Sequence, residues 1–290
     1  MDGSPCRLRP FHVPATPSLT FVWNRYRAGF VFNSEAGDHS IEKGRRVERD
    51  AVLASLLRRL DAVSKLDPAD IAAIRALPIA VRHWEGGRAI VSDGERPSEC
   101  CLIIEGFCIR SKTTEAGQRQ ILSIHIPGEI PDLQSLHLRR MDHDLVTLVP
   151  STLGFISHAS LRTLTHARPN VADALWRDTL IDAAIFREWI VNVGQRPAPA
   201  RLVHIALELR TRLLSVRGGA ELATFEFPLT QEQIGEALGI TPVHANRIIR
   251  QLREDRIVDV SRGHVRVLDE TRLAELAQFD DRYLHQDPVA

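Results

Sequence analysis

The stretch LTQEQIGEALGITPVHANRIIRQLRED, Leu229 to Asp255, concentrates residue types that contact nucleic acid. The Arg247 guanidinium can pair with guanine O6 and N7 through two parallel hydrogen bonds, and Asn246 can read adenine or hold a phosphate. Thr230, Gln231 and Thr241 offer short polar groups for backbone phosphates, and His244 and Arg250 stand close enough in sequence to join them. Phosphate contacts fix register and orientation, whereas contacts to base edges carry sequence information.

Such groups need rigid supports. Thr230 followed by Gln233 has the spacing of a capping box, and Ile234, Ala237 and Leu238 give the helix it starts a buried side. Gly239 ends that helix by permitting a left-handed backbone. Ile240 fills the corner, and Thr241-Pro242 opens a second helix as cap and first helical residue. Ala245, Ile248, Ile249 and Leu252 then face inward, which turns Val243, His244, Asn246, Arg247 and Arg250 outward. Two helices joined by a short Gly-containing turn form a helix-turn-helix, whose second helix enters the major groove by its N-terminal part. The small residues Gly235 and Ala245 suit the close crossing. IVDVSRGHVRVLD, 257–269, alternates about Arg262-Gly263 and predicts a two-stranded wing, with Arg262 placed on phosphate.

Other chemistry-bearing residues are weaker. His125, Glu129, His137 and His143 raise a metal site of the kind found in cupin-like β-barrel enzymes, but the His-x-His followed by Glu that such sites use is missing. Loop histidines without a metal are the expectation. Cys6, Cys100, Cys101 and Cys108 form no C-x-x-C pair. Neighbours on a strand point to opposite faces, so Cys100 and Cys101 suit buried, reduced thiols; a thiol switch at one of the three later cysteines is the alternative. With no Ser/His/Asp set, supported carboxylate pair or phosphate-cradling Gly loop, the reading is no enzyme and no cofactor. The competing class is a metal-dependent β-barrel enzyme, or a ligand-binding adaptor that does not touch DNA.

Around these residues, 290 positions suggest about two domains. Lys+Arg and Asp+Glu balance at 37 each, so net charge points to no partner. No run approaches the ~20 apolar residues of a membrane span. The opening MDGSPCRLRPFHVPATPS is broken by Pro5, Pro10, Pro14 and Pro17 and lacks the apolar core of a signal peptide, so a cytoplasmic location is expected. Residues 1–50 lack sustained periodicity and read as a disordered extension with an apolar island from Phe21 to Phe32. Leucines at 53, 56, 57 and 60 predict a helix, and Asp67-Pro68 a second one to Leu77. From Ile79 to Ser157, short apolar runs with turn signals about every ten residues predict an all-β sandwich or barrel, with hairpin turns at Glu105-Gly106 and Glu115-Ala-Gly117. Ser160 starts a short helix. One long helix runs from Pro169 to about Val193 with two apolar stripes, one containing Trp176, Ala183, Phe186, Ile190 and Val193, the other Val171, Leu175, Ile181, Ile185 and Trp189. A helix apolar on two faces must bury both; the β domain covers one and a symmetric copy of the helix the other. Gly194 to Pro199 is the hinge, followed by an amphipathic helix from Ala200 to about Val216 that Gly218-Gly219 ends. The domains are thus an extension (1–50), a β domain with flanking helices (51–168), which the resemblance described next makes a β-roll sensor, a dimerisation helix (169–195) and a winged helix-turn-helix with a C-terminal tail (196–290).

This order of elements resembles the Crp–Fnr family of bacterial transcription regulators. The resemblance covers about Val52 to Leu268 and is strongest at RPAPARLVHIALEL (196–209) and FPLTQEQIGEALGITPVHANRIIRQLRED (227–255). It implies an α+β fold with an N-terminal double-stranded β-helix, a jelly-roll of the cyclic-nucleotide-binding type, then a long dimerisation helix and a winged helix-turn-helix. It also implies a homodimer on a two-fold symmetric DNA operator, RNA polymerase as a partner, and a β-roll that senses a small-molecule effector. The family's base-reading positions match Pro242, Val243, Asn246 and Arg247; Val243 stands where an acidic reader is common, so a different operator is expected. Cyclic-nucleotide binders carry a Gly-Glu pair for the ribose and an Arg-Ser pair for the phosphate. The matching loop PGEIPDLQSLHLRRMDHDL (127–145) places Asp132-Leu133 and Met141-Asp142 there. An acid at the phosphate position repels it, although Arg139 and Arg140 supply cations nearby. The expectation is an effector pocket near Asp132, Arg139, Arg140 and Asp142 that does not take cyclic AMP.

Overall fold

The computed structural model describes residues 52–217 and 222–286. The expected N-terminal extension with its apolar island, and the Gly218-Gly219 helix end, lie outside them. Helix α1 covers 52–63 and buries Leu53, Leu56, Leu60 and Val63. Helix α2, Pro68–Arg75, opens on a complete capping box: Asp67 accepts from the Asp70 N–H at 2.7 Å and Asp70 accepts from the Asp67 N–H at 3.2 Å. It stops at Arg75, two residues short of the expected Leu77.

The β region forms seven strands, β1 Ala80–Trp84, β2 Ala89–Val91, β3 Glu99–Glu105, β4 Cys108–Thr113, β5 Arg119–His125, β6 Asp144–Thr147 and β7 Ser151–Ser157. They divide into two antiparallel sheets, ordered β1-β7-β3 and β2-β6-β4-β5. Thr114 to Gln118, with Gly117 at φ 77°, is the expected hairpin between β4 and β5. Glu105-Gly106 is not a hairpin. β3 pairs with β7 while β4 pairs with β5 and β6, so this corner carries the chain from one sheet to the other. Gly106 is required there: its φ is 95° and a Cβ would lie 2.2 Å from the Ser151 Oγ.

Helix α3, His158–Ala167, is capped by Ser157 rather than started at Ser160, because the Ser157 hydroxyl accepts from the Ser160 N–H. Helix α4, Pro169–Gln195, is the predicted long helix, and α5, Ala198–Arg217, follows after only Arg196 and Pro197. The expected six-residue hinge is therefore mostly helical. Strand β8, Thr224–Glu226, precedes α6, Gln231–Leu238, and α7, Pro242–Glu254. Strands β9, Val258–Ser261, and β10, His264–Val267, make the wing, and β8 joins it in the order β8-β10-β9. Helix α8, Glu270–Ala277, and a 3-10 turn at Asp281–Leu284 close the described chain.

One hydrophobic cluster joins Ile121, Ile124 and Ile126 of the β-roll with Ile181, Ile185 and Trp189 of α4 and with α5, α6 and α7. The helix-turn-helix is thus packed against its own β-roll. A second cluster holds α1, α2, α3 and the start of α4 against Cys100, Leu102 and Ile156 of the β3–β7 sheet.

Candidate nucleic-acid interface

The capping signals set the geometry of α6 and α7. Thr230 and Gln233 exchange the two capping-box hydrogen bonds, at 3.2 and 2.9 Å. Gly239 adopts φ 66°, and the Thr241 hydroxyl accepts from the His244 N–H. Ile234, Ala237, Leu238, Ala245, Ile248, Ile249 and Leu252 are all buried. The crossing is tight at Gly235, where a Cβ would lie 2.7 Å from the Ile240 carbonyl oxygen.

The opposite face of α7 is open. Pro242, Val243, Asn246, Arg247 and Arg250 are exposed, Val243 by 81%. The Asn246 amide donates to Gln231 Oε1 at 2.8 Å, which ties the two polar groups together across the helix pair. Arg250 lies 3.7 Å from Glu254, but both side chains are about 70% exposed, so this pair is worth little and leaves the guanidinium available. The Thr230 and Thr241 hydroxyls accept from backbone as caps and still have a proton to donate. In the wing, Arg262 is exposed at φ 51° beside Gly263 at φ 75°. Arg253 is held by Asp259 at 2.6 Å and braces α7 against β9.

Behind this surface, α6 and α5 are fastened to the β-roll. Arg119 of β5 makes a bidentate ion pair with Glu236 at 2.8–3.0 Å, and this hydrogen bonding raises its guanidinium pKa further. Deeper in, Arg212 of α5 donates to Glu129 at 2.8 Å, to Glu208 at 3.0 Å and to the Ile124 carbonyl. Arg59 of α1 reaches the same Glu129 at 3.0 Å and Asp178 of α4 at 2.6 Å. Glu208 also accepts from Trp189 of α4 and from the Tyr283 hydroxyl. Burial opposes ionisation of Glu129, yet Arg212, Arg59 and the His125 hydrogen bond outweigh it and hold its carboxyl well below the usual range. Burial pushes Glu208 and Asp178 upward against the pull of Arg212 and Arg59, respectively. One polar cluster therefore links the β-roll, α1, the long helix α4 and α5. Sequence reasoning missed it, although Glu208 and Arg212 at i and i+4 on the buried side of α5 were a visible signal.

The remaining candidates are scattered. Asp132 is buried and accepts from the Cys101 N–H at 2.7 Å; desolvation raises its pKa to about 7. Arg139 and Arg140 are exposed, and Asp142 turns to His143 at 2.8 Å. None of these four lines the cavity of about 20 Å³ next to the β-roll, which is bounded by Arg59, Arg110, Glu129, Asp178 and Asp182. His125 is sandwiched between Ser123 and Glu129, and burial with the nearby Arg110 lowers its pKa to about 4. His143 faces Asp142 and Gln134, and His137 is exposed, so the four residues of the metal hypothesis do not converge. Cys100 and Cys101 enter different hydrophobic clusters on the two faces of β3, and burial raises the Cys100, Cys101 and Cys108 thiols above their ordinary range. On α4, Trp176 and Ile190 are exposed while Ala183, Phe186 and Val193 are half-buried.

Comparison with known proteins gives two domain matches: a cyclic nucleotide-binding domain over residues 81–168 and a Crp-like helix-turn-helix domain over 200–276. Among characterised relatives, the transcriptional activator protein FnrL of Cereibacter sphaeroides is 22% identical, covering 77% of this chain and 90% of the relative. The nitrogen fixation regulation protein FixK of Bradyrhizobium diazoefficiens is 23% identical over 74% of this chain and 88% of its own. The solved structure of FixK2 from Bradyrhizobium japonicum shares the fold, with a TM-score of 0.62 at 20% identity over 69% of this chain and 98% of that one. Among the described residues, no helix is long and apolar enough to cross a membrane.

Proposed function

The chain belongs to the Crp–Fnr family of DNA-binding transcription regulators, and from that premise we propose that it acts as a cytoplasmic homodimer on a two-fold symmetric operator. Each protomer lays α7 in a major groove, with half-site centres about one helical turn, ~34 Å, apart. The observation that carries this reading is the division of α7 into a buried apolar side and an open side bearing Val243, Arg247 and Arg250. Arg247 reads guanine and Asn246, positioned by Gln231, reads adenine or holds phosphate. Val243, where relatives commonly carry an acid, makes apolar contact with a thymine methyl, so the operator departs from the common family code. Pro242 contacts the same groove. Thr230, Gln231, Thr241, His244, Arg250 and Arg262 hold phosphates. The bound dimer presents its surface to RNA polymerase.

The β-roll senses something other than cyclic AMP. The cavity beside it, about 20 Å³, has room for about one water, whereas ligand pockets run to ~300 Å³ and more. Asp132 and Met141, at the positions matching the family's ribose and phosphate contacts, are both buried. The enzyme alternative is set aside, because the family consists of regulators.

The test is selection of sites from random duplex DNA by the full-length protein with no ligand added. A symmetric motif with half-sites one turn apart is expected; an asymmetric single-site motif would sink the two-fold arrangement. Repeating the selection with Arg247→Ala should relax one base position per half-site, with ~1–3 kcal/mol of discrimination lost there. Unchanged base preference would remove Arg247 as a reader.

A further inference from the structure

A second cavity, of about 130 Å³, opens where α1, α4, α5 and the segment after the last 3-10 turn meet. Its floor is apolar: Val63, Ile181, Ile185 and Leu284 are all buried. Its rim is exposed at Ala62, Ser215 and Gln286, so it communicates with solvent. Arg212 also lines it. That side chain is only 4% exposed and is held in ion pairs with Glu129 and Glu208.

We propose that this cavity is an effector site for a small, uncharged, mostly apolar molecule. Size sets the body: an apolar cavity of ~150 Å³ accommodates benzene, so a ring of about six carbons fits. Charge sets the class. Arg212 and Arg59 are already committed to Glu129, Glu208 and Asp178 at 2.6–3.0 Å. A carboxylate ligand adds a negative charge where three carboxylates already share two guanidiniums, and a cation meets those guanidiniums. A ligand here touches α1, the long helix, the first helix of the DNA-binding domain and the C-terminal segment together. It therefore favours the arrangement in which α5 is packed on α4, and only this regulatory meaning rests on the regulator reading above.

The experiment uses the full chain with ¹³C-labelled isoleucine methyls and three probes: cyclohexanone, cyclohexane and cyclohexanecarboxylate. Cyclohexanone and cyclohexane should shift the Ile181 and Ile185 methyl resonances saturably, and the carboxylate not at all. Ile185→Phe, which fills the floor, should weaken cyclohexanone binding at least ~10-fold, about what a methylene's worth of pocket space carries. Ala62→Trp, at an exposed rim position that does not burden folding, should do the same by covering the mouth. Silent isoleucine methyls, a carboxylate that binds as well as the ketone, or unchanged affinity in both variants overturns the site. The DNA selection run on the same preparation separates the two ideas. A symmetric motif with silent methyls removes the site and keeps the regulator; shifting methyls without a motif, whether or not cyclohexanone is added to the selection, keep the site and remove the operator reading.

Discussion

Arg262 occupies a backbone conformation that non-glycine residues rarely adopt, at φ 51° in the turn of the wing. Conformation and charge make separate demands at this position. Arg262→Gly relieves the first and removes the second, so folding stability should hold while DNA affinity falls evenly across sequences and the salt slope flattens by about one phosphate contact. An unaltered slope across a salt titration would contradict the phosphate role. Asp132 poses a different residue-scale question. Burial raises its folded pKa from 3.8 to about 7, so the folded state binds more protons than the unfolded chain between those values. Its contribution to stability is complete below about pH 4 and is lost as pH rises through about 7. Asp132→Asn keeps an acceptor for the Cys101 N–H and cannot titrate. Urea unfolding from pH 4 to 8 should therefore show wild type losing stability relative to the variant as pH rises; a constant difference would place the carboxyl in a solvated setting.

At the scale of elements, legibility tracked the range of the signal. The helix-turn-helix was readable in full because its determinants are local: Thr230 with Gln233, Gly239, Thr241-Pro242 and an apolar set at helical spacing lie within one short stretch. The same locality carries a prediction. Gly235→Ala places a Cβ 2.7 Å from the Ile240 carbonyl, in backbone that cannot swing aside. It should destabilise the domain by ~1–3 kcal/mol, read as a lower thermal midpoint with weaker operator binding; an unchanged midpoint would mean that α6 and α7 separate freely. Where partners are distant, sequence was silent. Glu105-Gly106 looks like any hairpin turn, and only pairing with β7, about fifty residues on, makes it a corner between sheets. The Arg212–Glu129 contact spans 83 residues. Strand β8, three residues long, exists because β10 pairs with it. Helix α8 escapes the sequence for another reason: Asp269, whose side chain accepts from the Arg272 N–H, also ends the alternation of the wing, which hides its role as a cap.

The whole molecule poses the question of what covers the outer face of α4. Its inner face is spent within the protomer, with Val171, Leu175, Ile181, Ile185 and Trp189 buried. Its outer face leaves Trp176, Leu180, Ile190 and Val191 exposed at 62, 48, 72 and 44%. Of the eight large apolar side chains left exposed among the described residues, this one helix carries half, which singles it out from scattered surface apolars that need no partner. Trp176, Leu180, Ala183 and Ile190 recur at three-, four- and seven-residue spacing, the seam along which two helices pack. In the proposed dimer, with the two-fold axis running along this seam, each of these side chains lies near its own copy. Ile190→Glu therefore sets two carboxylates close to one another in an apolar seam, and burying an unpaired charge costs far more than the contact it replaces. The variant should sediment at the 32.5 kDa of one chain, and wild type at twice that mass. Val81→Glu, at an exposed apolar site on β1, should leave the dimer intact. Losing the second α7 also removes the linkage between half-sites, worth ~10²–10⁴ in apparent affinity, so Ile190→Glu should bind a full operator no better than a half-site. If instead it stays dimeric and binds the full operator like wild type, the seam lies elsewhere on the molecule and the outer face of α4 serves another partner.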